Sequence, residues 1–142
     1  MDWCARTALL TRNTLNEETP DRNEVDEFIL EEIDSVPHLE ALLLVWTRKP
    51  QRWKADEMAK ELYVKPDQAQ SILNDLAQRR LIGLASGTTD VYEYDSAPEK
   101  DALLKAVERT YRRELVRISR MIHSKAPASL REFARAFRFR KD

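Results

Sequence analysis

The chain is poor in glycine, cysteine and histidine, and each shortage narrows what it can be. Only Gly83 and Gly87 occur in 142 residues. An all-β fold draws on glycine for its many tight turns, so helix should dominate. Cys4 stands alone, which excludes an internal disulfide and a cysteine-built metal cluster and fits a reducing, cytoplasmic setting. His38 and His123 are the only histidines, and no nucleophile–base motif, phosphate loop or metal-ligand spacing accompanies them. Neither catalysis nor a metal or other cofactor is therefore expected. No stretch approaches the roughly 20 apolar residues of a membrane span, and the opening MDWCARTALLTRN has no secretory apolar region.

What is present fits one compact domain. Hydrophobic residues make up 42% and charged residues 35%, enough for a core beneath heavily solvated helix faces. The net charge of −1 hides a gradient. Residues 1–45 carry 3 basic and 11 acidic side chains, residues 46–99 carry 8 and 9, and residues 100–142 carry 13 and 5. Such asymmetry points to a polyanion or an acidic partner, or to two ends that neutralise each other within a chain or across a dimer.

Residues 1–22 lack periodicity and read as an arm. From Asn23, taken as an N-cap, Val25, Phe28, Ile29 and Ile33 recur at helical spacing. Ser35 then caps a second helix, with Pro37 in its first turn and Leu39, Leu42, Leu43 and Trp46 as its buried face. A basic connector, RKPQRW, ends on Trp53, a candidate edge strand. Two short helices follow in KADEMAKELYVKPDQAQSILNDLAQRRLI. Met58, Ala59 and Leu62 share a face of the first, and Ala69, Ile72, Leu73 and Leu76 form one stripe of the second. Alternation on either side of SGTTD makes 82–95 a hairpin.

A Ser-x-x-Glu box, Ser96 to Glu99, opens the longest predicted helix, from Pro98 to about Lys125, which would span roughly 40 Å. Leu104, Val107, Tyr111, Leu115, Ile118 and Ile122 run along it as an apolar stripe. A stripe of that length is expected to form a dimer seam, the alternative being packing on the chain's own domain. Beyond Pro127 a second box, Ser129 to Glu132, starts a short amphipathic helix bearing Leu130, Phe133, Ala134 and Phe137.

The order helix, helix, turn, helix, two-stranded hairpin, long helix resembles a winged-helix domain. It is similar to small bacterial regulators of the MarR type, as architecture over residues 25–125 and as motif over 54–95. The resemblance implies a mainly α fold with a small β-hairpin: a winged helix-turn-helix with a long C-terminal helix and a short terminal amphipathic helix. Together with the residue patterns outside it, the expected division is an arm (1–22), a winged unit (23–95, with the helix-turn-helix at 54–80 and the wing at 82–95), a long helix suited to dimerisation (96–126) and a basic amphipathic tail (127–142). The resemblance also implies a homodimer that regulates transcription by binding double-stranded DNA. The helix from Pro66 would enter the major groove, with Gln68, Gln70, Ser71 and Asn74 facing bases.

Lys54 and Lys65 fall at the expected N-caps of the two motif helices. A lysine there accepts no bond from the exposed amides, but amides and ammonium together suit an anion. Phosphate contacts are accordingly expected from Arg48, Lys49, Arg52, Lys54 and Lys65. The wing departs from this pattern, since 82–95 holds no cation and three acids, Asp90, Glu93 and Asp95. The alternative reading is a protein-interaction module. Its surface would be the acidic wing or the tail, where Arg131, Arg135, Arg138, Arg140 and Lys141 accompany Phe133, Phe137 and Phe139.

Overall fold

A computed structural model of the chain describes residues 20–125. The expected arm up to residue 19 and the expected terminal helix after Pro127 lie outside the described residues. Helix α1 (Arg22–Glu32) begins two residues earlier than Asn23 as a cap would require. Asp21 is the N-cap: its carboxylate accepts the Glu24 amide at 2.9 Å, and Glu24 accepts the Asp21 amide at 3.4 Å. That reciprocal pair satisfies two amides at the helix start. Helix α2 (Val36–Thr47) is capped as expected, the Ser35 hydroxyl accepting the His38 amide at 3.3 Å. Its Leu39, Ala41, Leu42 and Val45 are fully buried.

Helices α3 (Ala55–Leu62) and α4 (Pro66–Gln78) form the helix-turn-helix. Ala59 and Ala69 are both buried, and their small side chains permit close approach of the two axes. Ala69, Ile72, Leu73 and Leu76 sink into the core as one stripe. Strands β1 (Gly83–Leu84) and β2 (Tyr92–Glu93) pair antiparallel, with Gly83 opposite Glu93 and Leu84 opposite Tyr92. Trp53 adds a third, one-residue edge, exchanging backbone bonds of 2.7 and 2.8 Å with Tyr92. A helix-turn-helix followed by a hairpin, with the sheet completed by the residue ahead of the first motif helix, is a winged helix.

Both motif helices end without glycine. Tyr63 (φ 57) and Arg80 (φ 62) occupy the left-handed region where their chains turn away. The Val64 amide returns to the Ala59 carbonyl at 3.1 Å, and the Leu81 amide to that of Leu76 at 3.0 Å. These bonds close the helix ends, at a steric cost of about 1–2 kcal/mol for each Cβ held there.

The expected single long helix is two. Helix α5 (Pro98–Arg113) stops at Glu114, whose φ of −128 and ψ of 46 are not helical, and α6 (Leu115–Ser124) resumes beyond it. The Glu114 carboxylate is held at the break by Arg117 Nε at 2.6 Å and Arg22 Nη2 at 2.9 Å. The Ser96 box does not form either. Ala97 is the N-cap, and the Ser96 hydroxyl instead donates to Asp101 at 3.1 Å.

Past the break, α6 packs against α1 and α2, which draws its apolar face inward. Leu104, Val107, Ile118 and Ile122 are buried in the chain's own core, Tyr111 is half-buried and Leu115 is 50% exposed. The acidic front and basic back of the sequence also meet inside one chain. Arg117 grips Asp26 with two bonds of 2.9 and 3.2 Å. Lys125 donates to the carbonyls of Ile29, Leu30 and Ile33, neutralising the negative end of α1. Among the described residues no helix is long and apolar enough to cross a membrane.

Candidate functional site

Helix α4 is braced on three sides. Toward the wing, the Gln70 side-chain amide donates to the Tyr92 hydroxyl at 2.9 Å. Toward α1, Arg79 donates to the Glu31 carbonyl at 3.0 Å and to both oxygens of Asp34 at 3.2 Å. Toward α2, the Asp75 carboxylate lies 2.9 Å from His38 Nε2, while His38 Nδ1 lies 2.6 Å from the Ser35 hydroxyl. That relay is satisfied throughout when Ser35 donates to Nδ1 and the Nε2–H donates to Asp75.

The opposite face of α4 is open. Asp67, Gln68, Ser71 and Asn74 are exposed, and their side chains make no hydrogen bond to other described residues. This follows from periodicity, because the stripe that buries Ala69, Ile72, Leu73 and Leu76 leaves 67, 68, 71 and 74 on the far side. Gln70 is exposed as well, yet its amide is already committed to Tyr92.

Lys65 is the N-cap of α4 and Lys54 that of α3. At Lys54 only half of a capping box is available: Glu57 accepts the Lys54 backbone amide at 2.9 Å, and the ammonium has no lone pair with which to answer. Both ammonium groups are exposed, without a partner among the described residues.

The connector cations are placed otherwise. Arg48 donates to Glu61 at 3.1 Å, and Arg52 to Glu93 on the wing at 3.3 Å. Lys49 donates to the Trp46 carbonyl at 3.1 Å and sits 4.5 Å from the centre of the Trp46 ring. Of the five cations expected at one anion site, three are therefore engaged internally.

The Ser35–His38–Asp75 relay went undetected in the sequence. Its one legible part is the spacing of cap and histidine in Ser-x-x-His, since nothing local to Asp75 marks it as a partner 37 residues away. Donor atoms of Asp34, His38 and Asp75 lie within 4.8 Å of one another, so these residues could share a divalent cation. Arg79 already neutralises Asp34, and His38 already satisfies Asp75. The arrangement serves as a cross-link between α1, α2 and α4.

No family model matches the chain, and no curated protein does. Solved structures similar in the course of the chain include the following two. One is MepR, a transcription regulator of the Staphylococcus aureus multidrug efflux pump MepA, at 13% identity over 94% of each chain and a TM-score of 0.48. The other is RV1404 from Mycobacterium tuberculosis, at 16% identity over 94% of this chain and 86% of that one, also with a TM-score of 0.48.

The end of the hairpin that leads into α5 is fixed to that helix by a charge-assisted hydrogen bond. The Tyr94 hydroxyl donates to Asp101 at 2.6 Å, which holds the Asp101 carboxyl below its ordinary range. Burial, and then Asp101 itself, push the Tyr94 hydroxyl well above the usual tyrosine value. Tyr111 is likewise pushed up to about 12, first by burial and then by the Glu40 carboxylate, to which it donates at 3.2 Å.

Proposed function

We propose that the chain is a winged-helix transcriptional regulator that binds double-stranded DNA through the open face of α4. One observation carries this reading. A fully braced helix presents Gln68, Ser71 and Asn74 outward, behind an N-cap lysine, and none of the four has a side-chain partner among the described residues. Asn and Gln amides match the donor–acceptor pair of adenine in the major groove, and Ser71 serves either base type. Lys65 and Lys54, at two helix starts, would take phosphates, adding ammonium charge to free amides and the positive helix end.

Three members of the expected phosphate set have partners inside the chain. Arg48, Lys49 and Arg52 contribute only after leaving Glu61, Trp46 and Glu93. Electrostatic affinity should accordingly be modest, with few counterions released. For a dimer, Leu115 and its neighbour Val116, 50% and 62% exposed, offer the apolar contact that the buried part of the stripe does not. Symmetry-related α4 helices about one turn of DNA apart would then read two half-sites.

Retardation of fragments from the source genome at low salt tests the proposal. Binding should weaken as salt rises, and Lys65→Glu should weaken it equally on every sequence, reducing the salt slope by about one. Absence of any retarded fragment would overturn it. The second reading, a protein-interaction module, is favoured by the wing, which carries Asp90, Glu93 and Asp95 and a half-exposed Leu84 in a hairpin with no cation of its own.

A further inference from the structure

A groove of about 430 Å³ opens between α2, the end of α3 and α5. Its apolar lining comes from Leu43, Leu44, Leu62 and the two rings Tyr63 and Tyr111, and three carboxylates, Glu40, Glu61 and Glu108, stand among them. Tyr63 is 94% exposed and is held at the groove in a backbone conformation that costs a side chain energy. We propose that this groove is the docking site of the chain's own basic, phenylalanine-rich segment, residues 127–142.

Three observations choose that occupant. The first is composition. Three of the four phenylalanines of the chain fall in this segment, as Phe133, Phe137 and Phe139, with five cations against two acids. In a helical conformation the spacing of Leu130, Phe133, Ala134 and Phe137 would put them on one side and Arg131, Arg135 and Arg138 toward the other. An apolar face edged by guanidinium groups is the complement of an apolar floor edged by carboxylates, and Arg is suited to bidentate pairing with Glu.

The second is where the segment starts. Lys125 is fastened to the carbonyls of Ile29, Leu30 and Ile33, beside the start of α2. From Val36 to Leu43 along α2 is about 10 Å at the helical rise. The eight residues 126–133 reach roughly 26 Å when extended, which covers that rise together with the step from Ile33 to Val36, so the tether is long enough for Phe133 and the residues after it to reach the groove.

The third is that two of the three acids are available. Among the described residues Glu61 and Glu108 are held only by surface pairs to Arg48 and Arg112, each at 3.1 Å. Such pairs contribute at most about 1 kcal/mol and exchange readily. A short tether also gives the segment a local concentration on the order of millimolar, so weak complementarity suffices to hold it.

Chymotrypsin cleavage after Phe133 and Phe137 in the full chain tests the docking. Docked rings resist cleavage. Glu61→Lys with Glu108→Lys should accelerate cleavage roughly tenfold, as should Arg135→Glu with Arg138→Glu, and combining both pairs should restore the original rate. Slow cleavage at the buried Trp53 and Tyr92 in every variant certifies the fold. Equal rates in all variants would overturn the proposal. So would protection that rises with protein concentration, which would give the groove to a second copy, or failure of the combined variant to restore protection.

Discussion

Gln70 on α4 donates its amide to the hydroxyl of Tyr92 on the wing across 2.9 Å, and Tyr92 in turn exchanges two backbone bonds with Trp53. Helix, wing and connector are joined at this tyrosine. Tyr92→Phe keeps the buried ring and removes the acceptor. Stability should fall by about 1 kcal/mol, the net value of one such bond, with the urea m-value unchanged. Equilibrium urea unfolding followed by circular dichroism reads both quantities.

The ion pair between Arg52 and Glu93 withholds a cation from the proposed DNA face. Glu93→Gln releases it. Affinity for unrelated DNA sequences should rise together, and the slope of log K against log salt should steepen by about one. Fluorescence anisotropy across a salt series measures this, and an unchanged slope would show that Arg52 lies off the path of the phosphates.

Ile118 and Leu115 separate the inward from the outward part of the last apolar stripe. Ile118 is 0% exposed, so Ile118→Ala should cost about 2–5 kcal/mol at any protein concentration. Leu115→Glu removes a half-exposed side chain and should change the stability of the single chain by no more than about 0.5 kcal/mol. If copies associate through the α5–α6 junction, that second variant should sediment as a monomer. Urea unfolding at two concentrations, with sedimentation velocity, covers both residues.

Alkaline pH should loosen the fold through its tyrosines. Tyr111 and Tyr94 are protonated in the folded chain beyond the pH at which an unfolded tyrosine ionises, since burial first and a neighbouring carboxylate second disfavour the anion. Their contribution is complete below the unfolded value near 10 and declines as pH rises toward the folded value of about 12 for Tyr111. The urea midpoint should therefore drop over that interval, and less steeply in Tyr111→Phe. Asp101 acts with the opposite sign. Its depressed carboxyl stabilises the fold at neutral pH and loses that effect as acid protonates it.

Much of the scaffold was legible because burial imposes a period. The stripe Ala69, Ile72, Leu73 and Leu76, the Ser35 cap and the alternation around SGTTD each leave a local mark, and each has its counterpart in the structure. The break at Glu114 left none. No glycine or proline stands there, and the apolar spacing runs through it, so only Arg117 and the distant Arg22 identify the residue that leaves the helix. Tyr63 and Arg80 were silent for the same reason, being left-handed turns made without glycine. The candidate site was half legible. Outward residues of α4 follow from the inward ones, whereas the diversion of Arg48 and Arg52 depends on Glu61 and Glu93, 13 and 41 residues farther along.

The contacts of α1 with α6 reach across almost the whole described chain: Asp26 and Arg117 are 91 residues apart, and Lys125 bonds to Ile29 from 96. Closing a loop of that size is entropically costly and offers nothing until it is complete. The two helices should therefore act as a latch, fastened late in folding and released together. Their amides should exchange with solvent as one cooperative unit, and the winged unit between them can be assembled before the latch is shut.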